Sequence, residues 1–384
     1  MNLKNPKNLI PQILTVLSVI SVIAYFAFNA QVNMGNRGIS FGYGFLNQEA
    51  SFDIGFSLID YDGSMSYARA FLVGLLNTLL VSFIGIFFAT IIGVTVGIAR
   101  LSSNYLIAKA AEVYVEIFRN IPLLLQLFFW YYAALRALPL PENAINILDV
   151  SYLTVKGWYV PKFIWSNFSI FLLSILASII AIIFVSKYAK KQREEIGKQV
   201  PTLLISFGIL ILFPLLTFLV GGVTLKFQIP VLDQMTETIF NFKGGVSIIP
   251  ELISLALALS MYTATFIAEN VRAGILGVGK GQKEAAASIG LTKGQILKLV
   301  VMPQALRIII PPTTNQYLNL TKNSSLAAAI AYPDIVLVFA GTALMQTGRA
   351  VEIISITMGT YLLISLSISG IMNWYNKSVA IKEK

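Results

Sequence analysis

The chain contains no cysteine and no histidine, and only 12% of its 384 residues are charged. Without cysteine there are no disulfides and no thiolate chemistry. Without histidine there is no imidazole for a zinc site, a haem ligand or a Ser-His-Asp triad. Soluble domains carry about 25% charged residues, so this density excludes an ordinary soluble fold. Apolar residues reach 56% and mean hydropathy is +0.76, which excludes disorder. Chemistry is left to carboxylates, lysine, arginine, amides, hydroxyls and aromatics.

Basic residues outnumber acidic ones 28 to 18. They do not form a nucleic-acid-binding face. They sit in short segments between apolar runs, the pattern that orients helices in a bilayer. A crossing needs about 20 apolar residues. Runs near 9–30, 70–99, 119–138, 165–186, 201–222, 249–269, 305–323 and 350–374 qualify. The expectation is an all-α, polytopic membrane protein with about eight transmembrane helices. The first run, flanked by Lys4 and Lys7, exceeds the roughly 7–15 apolar residues of a signal peptide and reads as an uncleaved anchor.

Segment 31–68 carries Glu49, Asp53, Asp60 and Asp62 against Arg37 and reads as outside. Lys187, Lys190, Lys191, Arg193 and Lys198 mark the cytoplasm after the fourth run. Parity then makes both termini cytoplasmic and leaves 324–345 as a re-entrant or peripheral helix. The organisation expected is an amino-terminal span and outer loop (1–68), first core spans (69–138), inserted loops with two extra spans (139–247), core spans enclosing a cytoplasmic elbow (248–376, elbow about 270–302) and a tail (377–384).

The elbow is the most informative stretch. Residues 281–289 predict a short alanine-rich helix, Gly290 suits its end, and a second short helix runs to Pro303. Small side chains let a partner surface approach closely. The glycine-rich stretch 274–281 lacks the Gly-x-x-x-x-Gly-Lys-Ser/Thr order of a phosphate loop, because Gly281 follows Lys280. The chain cannot hydrolyse ATP by that route, and energy must come from elsewhere.

Glu284-Ala285-Ala286, Gly290 and Pro303, in that spacing, resemble the coupling motif of ABC importer permeases. Gly74–Leu79, Phe118–Gln126, Tyr262–Gly274, Pro303–Arg307 and Pro311-Pro312 extend the likeness to the polar amino acid permease family. Segment 41–60 and Lys243–Ser247 look like the longer permease subunit of general L-amino-acid transporters, which has an insertion before the elbow. The resemblance implies a type I ABC importer permease fold with an inserted helical region, in the bacterial inner membrane. It implies import of L-amino acids of broad specificity by alternating access, with no catalysis by this chain. The implied partners are a second permease subunit in a heterodimer, an ABC ATPase dimer and a periplasmic amino-acid-binding protein. No cofactor is expected on this chain; ATP and Mg belong to the ATPase. Glu284, Ala285, Ala286 and Gly290 are the implied docking residues. The alternative is an ion-gradient-driven secondary amino acid transporter, which needs internal inverted repeats and buried acidic groups that the sequence does not display.

Residues 313–325 are too polar to face lipid, and the proline pair before them suits a broken helix. Asn315, Asn319, Lys322 and Asn323 share a helical face. Together with Gln316 they line a substrate route or pack against the partner permease. Lys322 is the candidate for the substrate carboxylate. Asn323 stands where many relatives in the family have an acidic residue. Glu269 and Arg272 are three apart and form either a charged hinge supporting the elbow or an interfacial ion pair. Arg119 reads as an interface anchor, Gln126 as a packing residue and Phe128–Tyr132 as membrane anchoring. Gly93 and Gly97 read as a close helix contact.

Overall fold

A computed structural model of the chain describes residues 6–36, 42–197, 200–220, 222–234 and 240–379; Lys4, Arg37, Lys198, Lys382 and Lys384 lie outside these. In chain order the helices are α1 (Pro6–Asn36), α2 (Tyr67–Ala99), α3 (Tyr105–Asn120), α4 (Leu123–Phe128), α5 (Phe168–Glu195), α6 (Thr202–Leu219), α7 (Pro250–Leu276), α8 (Lys280–Ser288), α9 (Lys293–Ile296), α10 (Met302–Asn323), α11 (Leu344–Thr347) and α12 (Ala350–Val379). Among the described residues, 7 helices are long and apolar enough to cross a membrane. The count reaches 8 if the bent pair formed by α3 and residues Leu123–Leu135 is one span. The chain divides into two units, 1–131 with 251–384, and 132–250.

In the first unit, α2 starts where the Ser66 side chain accepts from the Arg69 N–H at 3.3 Å, a hydroxyl N-cap. Its glycines then admit α7. A Cβ on Gly93 would lie 2.6 Å from Ile267 Cβ, and one on Gly97 2.7 Å from the Ala268 carbonyl oxygen. The pair is therefore a backbone-close contact, as the spacing predicts.

Three expectations change. The run near 119–138 is not a straight span. The chain bends by 102° between α3 and Leu123–Leu135, because Pro122 offers no N–H and holds Ile121 extended (φ −92°, ψ 128°). Gln126, buried beside the break, donates through Nε2 to the carbonyls of Phe118 (2.7 Å) and Ile121 (2.9 Å). Nor does the helix after the elbow stop at Pro303. A π-turn over Leu297–Val301 leads into α10, and the widened turn accommodates a residue without an N–H. Finally, α10 passes unbroken through Pro311-Pro312. Packing of α2 and α12 against it supports a helix that has lost backbone donors.

Beyond α10 a 3-10 turn, Ser324–Ile330, leads to a short apolar helix, Val336–Thr347. This short helix lies within the stretch 324–345, for which a re-entrant or peripheral helix is expected. Phe45, Tyr67, Ala70, Val338, Phe339, Ala343 and Ile353 make one core with it, so segment 42–66 is packed rather than loose. Glu352, fully buried, accepts from the Gly42 N–H at 2.9 Å, and the Arg349 guanidinium lies over the Phe45 ring.

The second unit is not only loops and spans. Its strands are β1 (Ile145–Ile147), β2 (Ser151–Thr154), β3 (Gly157–Val160), β4 (Lys162–Trp165), β5 (Leu225–Gln228), β6 (Val231–Gln234), β7 (Phe240–Lys243) and β8 (Val246–Ile248). They form an antiparallel sheet in the order β1-β2-β3-β8 and two ribbons, β4-β5 and β6-β7. Phe242 packs its ring against Tyr152 and Tyr159, at 4.7 Å from each. Strands this short give too little alternation to be read from sequence. Within this unit α5 and α6 pair as a hairpin whose leucines, isoleucines and phenylalanines are exposed on all sides. That is the surface of helices solvated by lipid.

Candidate coupling elbow and substrate groove

The elbow follows from local chemistry. Helix α8 ends at Gly290, whose φ of +83° is cheap only for glycine. Its N–H donates to the Ala287 carbonyl at 2.9 Å, and the Leu291 N–H reaches the Ala286 carbonyl at 3.3 Å. Helix α9 opens with a reciprocal cap. Thr292 Oγ1 accepts from the Gln295 N–H, and Gln295 Oε1 accepts from the Thr292 N–H at 2.9 Å. Two short helices therefore meet at a sharp corner.

Glu284, Ala285 and Gly290 are exposed on this corner, whereas Ala286 is turned inward and buried. Sequence reasoning missed Ile289, an apolar side chain left 77% exposed beside Gly290. Lys283 Nζ donates to the Ile275 carbonyl at 3.4 Å and ties the corner to the end of α7.

About two turns back, Glu269 is the hub of a charge cluster. Its carboxylate accepts from Arg272 Nη2 at 2.6 Å and from Arg272 Nε at 3.2 Å, and it also pairs with Arg100 at the end of α2. Both sequence readings of Glu269 and Arg272 were local. The structure makes the pair interhelical by adding Arg100 at the end of α2. One carboxylate shared by two guanidiniums fixes the carboxy-terminal ends of α2 and α7 to each other.

The polar residues of α10 separate. Gln316, Asn319 and Asn323 line an open groove of about 360 Å³ opposite Tyr262, Thr263 and Phe266 of α7. Asn315 and Lys322 are exposed on α10 but do not line it, and Lys322 makes no ion pair among the described residues. The α7 residues were missed as liners; the signal available was Tyr262, Thr263 and Phe266 falling on one helical face. The groove combines three amides, two hydroxyls and two aromatic rings. Such a surface exchanges hydrogen bonds with a polar solute without imposing a charge.

Apolar spans joined by an exposed two-helix elbow, with a polar groove between two of them, define a polytopic membrane permease. Comparison with known proteins places it further. A model of the binding-protein-dependent transport system inner membrane component matches residues 195–381. The chain is 48% identical over 374 residues to the putative amino-acid ABC transporter permease protein YhdX of Escherichia coli (strain K12), covering 97% of this chain and 94% of that protein. It is 46% identical over 379 residues to the general L-amino acid transport system permease protein AapQ of Rhizobium johnstonii, covering 98% and 93%. It is 36% identical over 401 residues to the glutamate/glutamine/aspartate/asparagine transport system permease protein BztB of Rhodobacter capsulatus, covering 93% and 89%. The chain belongs to the family of amino-acid ABC transporter permeases, non-catalytic, multi-pass components of the bacterial inner membrane. The ion-driven secondary transporter is set aside.

Proposed function

We propose that the chain is one of two different permease subunits of an ATP-driven importer of L-amino acids of broad specificity. Near full-length identity to AapQ, whose name is that of a general L-amino acid system, carries this reading. Both termini are cytoplasmic, in keeping with the basic segments after the spans. The exposed corner formed by Glu284, Ala285, Ile289 and Gly290 enters a cleft of an ATPase subunit, with Ala286 packed behind it. ATP and Mg bind on the ATPase dimer, and a periplasmic binding protein delivers the amino acid.

Closure of the ATPases on ATP moves the elbow. The Arg100–Glu269–Arg272 cluster passes that motion to α2 and α7. Coupling requires ATP to favour the outward-facing arrangement, and a rigid link between docking corner and spans transmits that preference. The amino acid follows the groove between α7 and α10, held by Gln316, Asn319 and Asn323. The second permease subunit packs on the face of α10 that presents Asn315 and Lys322.

The test is uptake of labelled L-amino acids by proteoliposomes holding the complete complex. Wild type takes up substrate only with ATP. Glu284→Lys inserts normally but loses ATPase association and uptake. Uptake independent of ATP overturns the reading, and full ATP-driven uptake by the variant removes Glu284 from the docking contact.

A further inference from the structure

We infer that Arg119 is the residue that recognises the substrate's α-carboxylate, a role for which the sequence alone favours Lys322. The inference rests on the groove between α7 and α10 being the substrate route. The guanidinium carbon of Arg119 lies 5.6 Å from the centroid of Phe266, one of the rings lining that groove. Arg119 is exposed beside that ring without itself lining the groove, and it makes no ion pair among the described residues. The other charges of α3 are engaged. Lys109 pairs with Glu112 at 2.9 Å, and Glu116 accepts from Asn120 Nδ2 at 3.2 Å. Of these α3 charges, Arg119 is the one placed over an aromatic face.

Position adds a second argument. Arg119 lies in the last turn of α3, next to the break at Ile121–Pro122 that divides the bent pair. Broken helices are where transporters place substrate sites. The face of Phe266 holds the cation while the groove is empty. The planar guanidinium then offers two parallel N–H donors to a carboxylate, a match that lysine does not provide.

This division of labour explains breadth. The α-carboxylate is common to every amino acid and meets the one fixed charge. The variable side chain meets Gln316, Asn319 and Asn323, whose amides both donate and accept, and the rings of Tyr262 and Phe266.

The experiment is equilibrium binding of radiolabelled L-leucine and L-glutamine, and of their α-amides, to the purified complete complex without binding protein. Wild type is expected to bind the acids more tightly than the amides. Arg119→Gln is expected to weaken the acids at least tenfold and leave the amides unchanged, while Arg119→Lys recovers part of the loss. Equal weakening of acids and amides, or no change in either, overturns the assignment and makes Arg119 an anchor on Phe266. Asn319→Trp tests the route separately by filling the groove. Undiminished binding of both ligand classes by that variant, or no binding by wild type, overturns the groove itself. Loss with Asn319→Trp beside an unaltered Arg119→Gln overturns only the role of Arg119.

Discussion

The span α7 and the span α6 are both apolar, yet they are solvated differently. In α7, 61% of the most apolar window is buried within the protein; in α6, 0% is. The glycines tell the same story. A Cβ on Gly97 would meet the α7 backbone at 2.7 Å, whereas one on Gly208 of α6 has nothing within 4 Å. Hydropathy alone ranks α6 above α7. The more hydrophobic helix is the less structured by its own chain. In a membrane, apolarity measures contact with lipid, and small or polar residues measure contact with protein. By that criterion the α5–α6 hairpin is a lipid-facing addition, and the α2–α7–α10 cluster is the working part.

The largest effect expected from this contrast is at Gly97. Gly97→Leu drives four carbons into the α7 backbone and Val271, and overpacking of this kind costs about 1–3 kcal/mol or more. The purified protein should lose thermal stability, and uptake should fall below a tenth of wild type. Unchanged stability would show that α2 and α7 separate readily, contrary to their packing.

Next comes the charge cluster. Arg100→Gln removes the interhelical half and leaves Glu269 with Arg272. Glu269→Gln leaves two guanidiniums facing a neutral amide. The groups are 15–33% exposed, so the loss is expected at about 1–2 kcal/mol, below that of a fully buried pair. Transport should fall more than stability in both variants, with Glu269→Gln the worse. Equal loss of transport in the two would assign the function to the interhelical Arg100–Glu269 contact alone.

A third effect separates the units through buried carboxylates. Asp334 and Glu352 of the first unit are fully buried; none of the described carboxylates of the second unit is. Asp334 lies in the link before the helix that begins at Val336, and its Oδ1 accepts from the Leu337 N–H at 2.8 Å. Burial pushes its carboxyl up to about 7 from an ordinary 3.8. A carboxyl raised on folding contributes stability that is complete below about 4 and is lost as pH rises through about 7, at up to roughly 1.4 kcal/mol per pH unit. Melting temperature should therefore fall between pH 5.5 and 8. Asp334→Asn keeps the acceptor oxygen and should flatten that fall. A parallel fall in the variant would place the titration elsewhere.

Much of this was legible in the sequence, for reasons that differ by element. Long apolar runs place spans because length and composition suffice. The Gly290 corner was legible because φ above zero selects glycine, and the Gly93–Gly97 contact because small residues four apart mark one face. The bend at Ile121–Pro122 was not read, since proline alone does not distinguish a kink from a break; Pro311-Pro312, with the same chemistry, leave α10 continuous because neighbouring helices hold it. The eight short strands gave no periodic signal. Arg100 escaped as a partner of Glu269 because a contact between residues 169 apart is invisible to local spacing. For the same reason α10 was seen as a polar face, but the α7 rings opposite it were not.

The smallest expected effect is the sharpest check on the comparison. Gly208→Leu makes the same substitution in α6 that is destructive in α2. No atom lies within 4 Å of the new Cβ, and leucine forms helix better than glycine by about 0.8–1 kcal/mol. Lipid solvates the added side chain as readily as it does the exposed Ile205 and Leu212 nearby. Stability should be equal to or slightly above wild type, and uptake unchanged. A loss of uptake with intact stability would mean that another subunit, not lipid, covers α6 at Gly208. The hairpin would then be an assembly surface, and exposure within a single subunit would no longer separate lipid-facing helices from working ones.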